Sequence, residues 1–306
     1  MKVLITGGAG FIGSTVASAC IDADITPVII DDLSAGRREF VEGRIFFEGD
    51  FANRALVNRV LDDHADISVV VHCAAKIVVP DSMANPLEYY GNNVAKTIAL
   101  LGELVDRGVE RFVFSSSASI YAPESDLTVD EGSSLDPQSP YAATKFMVER
   151  ILEDVARATP MRVLSLRYFN PVGADPAMHT GLQNPNATHA MGKLIEAYET
   201  GGTFTITGTD WPTRDGSAIR DYIHVWDLAL AHVAALRRFD ETVPVGTGYQ
   251  VVNLGTGTGT TVRELVAAFC SVAGALDVRE SGPRPGDVVG CYTKSSLAAE
   301  LLGWRA

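Results

Sequence analysis

Cysteine is scarce in this chain. Four occur in 306 residues (Cys20, Cys73, Cys270 and Cys291), with no C-x-x-C pair and no dense spacing. That excludes a disulfide framework and points to reduced thiols in a cytoplasmic protein. Basic residues are also few: 25 Lys and Arg against 38 Asp and Glu give a net charge of −13 and a pI near 4.9. Non-specific binding to nucleic acid or to an anionic membrane needs basic surface and is excluded, while a local basic site for an anionic small molecule stays open. None of the six histidines has metal-ligand spacing with a partner, so no metal is expected. No run is apolar for long enough to span a bilayer. The N-terminal "MKVLITGGAGFIG" breaks at its glycines and lacks a signal peptide's apolar region and cleavage site. Repeats and low-complexity segments are absent as well.

What is present is ordinary globular composition, 46% hydrophobic and 21% charged. Up to Asn170, β-branched runs alternate with helical patterns. "KVLITG", "TPVIIDD", "ISVVVHCAA", "RFVFSSSAS" and "RVLSLRYFN" read as strands. "GFIGSTVASACIDA", "NRALVNRVLDDH" and "NNVAKTIALLGELVDRG" read as helices. So does "ATKFMVERILEDVARA", with Pro140 in its first turn. Strands this apolar predict an α/β fold, a parallel sheet with helices on both faces. From Pro171 the texture turns rich in Pro, Gly and Asn, then resumes with helices, the strands "FTITG" and "GYQVVNLG", and the polar loop "TDWPTRDGSAI". Residues 1–170 are expected to form one region and 171–306 a second, smaller one, some of whose elements return to the first sheet. Ligands of open α/β sheets bind beyond the carboxyl ends of the strands, which places a cleft between the two.

"TGGAGFIG" follows the first strand and opens the first helix. Gly7 permits the tight turn, Gly10 lets backbone approach a pyrophosphate, and Gly13 lets the helix pack on the strand. The helix N-terminus favours the anion. Asp31 and Asp32 lie about 20 residues on, at the distance of a carboxylate that binds the adenosine ribose. They favour NAD over NADP, although Arg37 and Arg38 follow shortly. Asp50, in "GDF", is either a contact to the adenine amino group or a turn aspartate. A second glycine pattern, "NLGTGTGTT", has no acid at ribose distance and reads as a structural turn with Thr260 or Thr261 capping a helix.

Tyr141 and Lys145, in "SPYAATKF", stand one turn apart on a helix face. A phenol of pKa about 10 is a poor base, and a nearby ammonium lowers it. Beside a dinucleotide loop the pair has a purpose: Tyr141 takes the proton of a hydroxyl being oxidised, while Lys145 lowers its pKa and holds the nicotinamide ribose. Ser117, at the end of "RFVFSSS", is placed to bond the same oxygen. His224 reads as structural.

These residues resemble the extended short-chain dehydrogenase/reductases and, within them, the UDP-glucose 4-epimerases. The resemblance runs through nearly the whole chain, on "TGGAGFIGS", "DDLSAG", "VVHCAA", "PLEYYGNNV", "FSSSASIY", "SPYAATKFMVE", "RYFNPVGA", "DGSAIRDYIHVWDLA" and "VVNLGTG". It implies a Rossmann-type doubly wound sheet with a smaller C-terminal α/β substrate-binding region, tightly held NAD, and inversion at C4 of a UDP-sugar through a 4-keto intermediate. Further cofactor positions implied are Phe11, Ile12, Phe51, Ala74, Lys76, Ser82, Asn92, Ser115 and Tyr168. Substrate positions implied are Asn170, Arg220 and Arg284 for the diphosphate, the backbone around Thr205 and Thr207 for uracil, and Asp287 for the uridine ribose. Two arginines suit a diphosphate because the fork is bidentate and always charged. Cys291 falls where the family lines the sugar's 2-position; the alternative is that Cys291 is an ordinary small buried residue and Tyr292, after a one-residue shift, closes the pocket. A homodimer through the "NNVAKTIALLGELV" helix and the Tyr141 helix is also implied.

Three features depart from the family. Ile77 stands where many epimerases carry a lysine, Thr188 and His189 replace paired asparagines in "NATHAMG", and the chain stops at "LGWRA" where the family commonly continues. Two rival readings share the fold: a nucleotide-sugar dehydrogenase or reductase that exchanges NAD(P) with solution, and a non-catalytic dinucleotide-binding module. A 4,6-dehydratase needs an acid in the active-site strand, which "SSSAS" lacks.

Overall fold

A computed structural model describes residues 1–122, 124–182, 188–284 and 286–306. β1 (Lys2–Thr6) leads to α1 (Phe11–Asp22), β2 (Thr26–Asp31), β3 (Ile45–Glu48), α2 (Arg54–Asp63) and β4 (Ile67–His72). Next come α3 (Val79–Ala84), α4 (Pro86–Tyr89), a π-helical turn (Tyr90–Ala95), α5 (Lys96–Asp106), β5 (Arg111–Ser117), β6 (Thr128–Val129), α6 (Pro140–Ala158), β7 (Arg162–Tyr168) and β8 (Asn170–Val172). The chain continues with α7 (Ala190–Thr200), β9 (Thr203–Thr207), β10 (Ile219–His224), α8 (Val225–Arg237), α9 (Phe239–Thr242), β11 (Tyr249–Leu254), β12 (Gly259–Thr261), α10 (Val262–Ala273), β13 (Asp277–Ser281) and β14 (Tyr292–Thr293).

The central sheet is parallel throughout, in the order β3-β2-β1-β4-β5-β7-β11. It is the Rossmann-type doubly wound arrangement. Successive strand residues point to opposite faces, and both faces are covered. On β1, Val3 and Ile5 pack with α1 and α8, whereas Leu4 packs with α2, α5 and α6. This two-sided burial is why apolar residues run consecutively along the strands and do not alternate with polar ones, as in Val3–Leu4–Ile5 and Val69–Val70–Val71. The seventh strand, β11, comes from the second half of the chain and pairs with β7 from Tyr249↔Val163 to Leu254↔Tyr168.

After β7 the chain leaves this sheet. β8 joins β10 and β12 in a three-stranded sheet, and β9 pairs with β13 in a separate ribbon. A third core, around Leu194, Phe204, Ile206 and Leu265, packs α7 and α10 on that ribbon. "IRDYIH" forms β10, which the polar reading of its surroundings does not predict. Its alternation is that of a strand, with Ile219, Asp221 and Ile223 buried. "NNVAKTIALLGELV" is π-helical over its first residues and α-helical only from Lys96. In "NLGTGTGTT" only residues 255–258 turn, between the end of β11 and the short strand β12, and Thr261 caps α10 in a capping box with Glu264.

Asp221 joins the C-terminal segments together. It is 0% exposed. Its Oδ1 accepts from the Thr256 amide at 2.8 Å and hydroxyl at 2.7 Å, and its Oδ2 from the amides of Gly257 at 3.0 Å and Thr293 at 3.3 Å. Asp221→Ala strands three backbone donors, each costing about 1–3 kcal/mol when buried and unpaired. The expected loss is at least about 3 kcal/mol, read from the urea midpoint; a shift under half of that would mean the loop finds other acceptors.

Candidate active site

The sheet order reverses beside β1, so the loops after β1 and β4 diverge and open a crevice at their carboxyl ends. Gly7 sits at the edge of that crevice with φ +73°, and a Cβ there would lie 2.6 Å from the Ala74 nitrogen. At Gly13 a Cβ would lie 2.3 Å from the Gly7 carbonyl oxygen, so the helix sits on the turn with no room for a side chain. At Gly10 a Cβ would meet only the Gly7 oxygen, at 3.4 Å, which leaves open space above it. Gly10 is also the N-cap of α1, and no side chain caps it. The first amides, at Phe11 and Ile12, therefore point at a cradle without a protein acceptor. These features fit a dinucleotide pyrophosphate.

Asp31, at the end of β2, is 8% exposed; its oxygens accept from the Ala9 amide at 2.9 Å and the Leu33 amide at 2.8 Å. Burial pushes its carboxyl above the ordinary range, with those amides opposing. The two bonds orient it and leave lone pairs for ribose hydroxyls. Asp32 instead closes a turn on the Ser34 amide and hydroxyl. Arg38 pairs with Glu48. Asp50 caps its own turn through the Ala52 amide at 2.9 Å and bridges Lys96 at 2.7 Å. Phe51 is buried against His72.

α6 begins at Pro140, capped by Ser139, whose side chain accepts from the Ala142 amide. It carries Tyr141 and Lys145 to the end of β5. Tyr141 is half-buried, with the Ser117 hydroxyl near enough to its phenol to favour the ionised form. Lys145 is 4% exposed; its Nζ donates to the Ser115 carbonyl at 2.6 Å and lies 4.9 Å from the Phe114 ring centroid. The pKa pattern differs from the expectation. Burial raises the Tyr141 phenol, and the opposing pull comes from the Ser117 hydroxyl rather than from Lys145. Lys145 is itself pushed down to about 8 by burial. The ammonium is engaged with the Ser115 carbonyl, so its effect on the phenol is muted. Ser117 also shares a hydrogen bond with Ser119 at 2.9 Å.

Behind this pair, Tyr168 is buried with its hydroxyl between Ser115 Oγ at 2.8 Å and His232. His232 Nδ1 lies 2.8 Å from the Leu228 carbonyl, which can only accept, so Nε2 accepts from Tyr168. Burial pushes this histidine down to about 4 and keeps it neutral. His224 caps α8 by accepting from the Trp226 amide, a structural role as expected.

Lys76 does not reach toward the crevice. Its Nζ bridges Glu88 at 2.6 Å, and Ile77 beside it is 46% exposed. Ser82 is buried with its hydroxyl on the Val79 carbonyl. Asn92 donates to Asn93, and Asn93 is the buried organiser that the sequence reading passed over. Its amide grips the Lys76 backbone at both ends, 2.8 and 2.9 Å, and also donates to Thr144.

Of the residues expected on the substrate side, Asn170 and Arg220 lie on the three-stranded sheet, Thr205 and Thr207 on β9, and Arg284, Asp287 and Cys291 in the loop before β14. Asn170 opens β8 opposite Tyr222 of β10. Arg220 makes no pair with Asp221; it donates to the carbonyls of Ile219, Val289 and Val288 at 2.7, 2.9 and 3.2 Å. Burial lowers its pKa, and Cys291, Asp287 and Arg284 lie within electrostatic reach. Arg284 bonds Asp287 through its amide, Nε and Nη2. Thr207 also reaches Asp287, and Thr205 accepts from Arg279 at 2.8 Å. Cys291 packs on the cluster of Ala118, Tyr121, Val129 and Phe169. Tyr292 faces the other way: a Cβ on Gly259 would lie 2.5 Å from its ring. His189 precedes α7 without capping it, and Asn186, Ala187 and Pro285 lie outside the described residues. Among the described residues no group of three or more His, Cys, Asp or Glu is placed to hold a metal ion.

The sequence matches the NAD dependent epimerase/dehydratase family over residues 3–255. The chain belongs to that family. The UDP-glucose 4-epimerase of Azospirillum brasilense is 42% identical over 306 residues, 99% of this chain and 86% of the relative. A crystal structure of UDP-glucose-4-epimerase from Stenotrophomonas maltophila with bound NAD and formylated UDP-arabinopyranose aligns with a TM-score of 0.94 at 36% identity, covering 100% of this chain and 93% of that one. The UDP-Glc/GlcNAc 4-epimerase of Campylobacter jejuni aligns at 0.83 with 34% identity, over 99% and 93% of the two chains.

Protein purified without added cofactor is expected to release NAD on denaturation. Gly13→Ala should release far less, because the new methyl displaces the Gly7 turn at a cost of about 1–3 kcal/mol. Equal release from both, or none from the wild type, would remove the glycine loop from the site.

Proposed function

We propose that the protein inverts C4 of a UDP-hexose with tightly held NAD, interconverting UDP-glucose and UDP-galactose through a transient 4-keto sugar. The observation that carries this reading is the meeting of Tyr141, Lys145 and Ser117 at the carboxyl end of β5, in the same sheet as the glycine cradle. Residues 1–170 act mainly on the cofactor and 171–306 mainly on the UDP-sugar. The pyrophosphate of NAD would rest on Gly7, Gly10, Gly13 and the first turn of α1, its adenosine ribose on Asp31, and its nicotinamide ribose on Lys145 and Tyr141. Ala74, Phe51, Asn92, Ser115 and Tyr168 would shape the walls. Bound there, NAD supplies a reversible acceptor for the hydrogen on C4.

The chain's own residues do the rest. Tyr141 takes the proton of the 4-hydroxyl and later returns it to the same oxygen, and Ser117 holds that oxygen. Arg220 and Arg284, with Asn170, hold the diphosphate, while Asp287 and the backbone at Thr205 and Thr207 hold the uridine. Inversion requires the sugar to turn over between the two transfers. Affinity invested in the unreactive UDP, with few contacts to the sugar, allows that.

Cys291 lines the sugar's 2-position in this reading. Neighbouring residues of an extended segment point opposite ways. Cys291 packs on the cluster that includes Ala118, which follows Ser117, and Phe169, which precedes Asn170, while Tyr292 packs on Gly259. A small thiol leaves room for an acetamido group that a phenol ring would exclude, so the N-acetyl sugars are substrates too.

Two copies pair through α5 and α6, where Ile98 and Met147 are 50% and 43% exposed. The free thiols of the four cysteines suit a cytoplasmic location.

Tyr141→Phe is expected to cut kcat by roughly 10²–10⁴, the usual worth of a general acid–base group, with UDP affinity nearly unchanged. Arg220→Ala should instead weaken UDP binding by about 2–5 kcal/mol, as for a desolvated charge pair. Calorimetry with UDP and initial rates separate the two, and equal effects on UDP affinity would end this division of labour.

Wild type should interconvert UDP-N-acetylglucosamine and UDP-N-acetylgalactosamine as well as the plain hexoses. Cys291→Tyr should abolish the N-acetyl activity and spare the hexose one, because overpacking a close wall costs roughly 1–3 kcal/mol or more. Proton NMR of each incubation reads the products; losing both activities alike would move the gate elsewhere.

A further inference from the structure

Three polar side chains stand one turn apart along α6: Tyr141, Lys145 and Glu149. The spacing of four puts them on one face, and that face lies on β5. Each turn addresses a different residue at the end of the strand. The Ser117 hydroxyl is near enough to the Tyr141 phenol to lower its pKa, Lys145 donates to the Ser115 carbonyl, and Glu149 accepts from the Ser116 hydroxyl. Glu149 is 5% exposed and is held at both oxygens by Arg167, Nε to Oε1 at 3.0 Å and Nη2 to Oε2 at 2.7 Å. Arg167 lies on β7 directly opposite Ser116 and passes a further bond to the Tyr121 hydroxyl at 2.9 Å. Packing alone would be served as well or better by apolar side chains here. A bidentate carboxylate–guanidinium pair adds geometric specificity, so that only one register satisfies it.

We propose that Glu149 is a positioning residue for the C4 reaction: clamped by Arg167 and Ser116, it sets the register of α6 on β5 that brings Tyr141 to Ser117 and Lys145 to the Ser115 carbonyl, and it places a carboxylate one turn from the Lys145 ammonium. The inference rests on the reading of Tyr141 as the base. The groups around Lys145 are Tyr141 and Glu149 on its own helix, His72 and Cys73 at the end of β4, the Phe114 ring on β5, and Tyr168 and Arg167 of β7 behind Ser115 and Glu149. Burial pushes His72 down to about 3 and the Cys73 thiol up to about 11, so both are uncharged near neutrality. Burial also lowers Lys145, with Cys73 and Glu149 opposing. Removing the Glu149 charge therefore lowers Lys145 further. The ammonium is then lost at a lower pH, and a slipped register takes the Tyr141 phenol away from the Ser117 hydroxyl that opposes its raised pKa, so the phenol ionises at a higher one.

The test uses Glu149→Gln and the double variant Glu149→Gln with Arg167→Met, since the single change leaves a buried guanidinium unpaired. Both are measured for kcat against pH, for UDP affinity, and for Tyr141 ionisation, read as phenolate absorbance against the same protein carrying Tyr141→Phe. The expected result is a loss of about 10–100-fold in kcat, the scale of an ångström-level misplacement, with unchanged UDP affinity. The Tyr141 titration should rise in both, and the alkaline limb of kcat should move to lower pH in Glu149→Gln. A folded double variant with wild-type kcat and Tyr141 titration overturns the proposal, as does a folded Glu149→Gln whose alkaline limb stays in place. The phenol titration needs no turnover, so it reports on Glu149 even where wild type is inactive on UDP-hexoses, a result that would defeat the proposed reaction instead.

Discussion

The seven parallel strands are covered by helices on both faces, so a polar group on a strand must find a partner inside the fold or sit at a strand end. Inside, three such sets of partners lie around the site. His72 is held between Thr6 and Thr97, Tyr168 between Ser115 and His232, and Glu149 between Ser116 and Arg167. Each set joins a strand to a neighbouring strand or to a helix laid against it. The strand ends beside the crevice are thereby held in place, and the groups to which the proposed reaction assigns the work stand there: the cradle at Gly10, the phenol of Tyr141 and the hydroxyl of Ser117.

The same burial imposes the site's electrostatics. Taking Tyr141, Lys145 and Arg220 out of water disfavours every charged form among them. Lys145 and Arg220 meet this by donating to backbone carbonyls, which hold the cations in place without neutralising them. In the proposed reaction the two halves of the chain divide the work accordingly. The large sheet would present the redox site. The small sheet and the loop before β14 would present arginines with which the substrate's own charge can pair.

Local signals were legible in proportion to how local their physics is. The glycine loop could be read because turn, cradle and helix packing are decided within a few residues. Tyr141 and Lys145 could be paired because one helical turn relates them, and Glu149 stood at the next turn of the same face. Thr261 could be read as a cap because its partner Glu264 is three residues on. β10 was missed because alternating polar residues in "IRDYIH" resemble the loop before it; the buried Asp221 at its centre makes sense only once the Thr256 and Thr293 segments arrive. Lys76 could be aligned with a cofactor position, but its pairing with Glu88 depends on how α4 packs.

The amino-acid order by itself determined the alternation of elements, the parallel sheet, the anion cradle and the placing of a phenol, an ammonium and a carboxylate on one helix face. Each follows from the 3.6-residue turn, the two-residue pleat or the conformational range of glycine, all of which act between near neighbours. Only the tertiary structure decided that β11 completes the first sheet, that Arg220 turns to the carbonyls of Val288 and Val289 and not to Asp221, and that Cys291 packs with Ala118 and Phe169 while Tyr292 packs on Gly259. Those contacts join residues far apart in sequence. Their partners are chosen by which surfaces the closing core brings together, and no spacing within a segment records that choice.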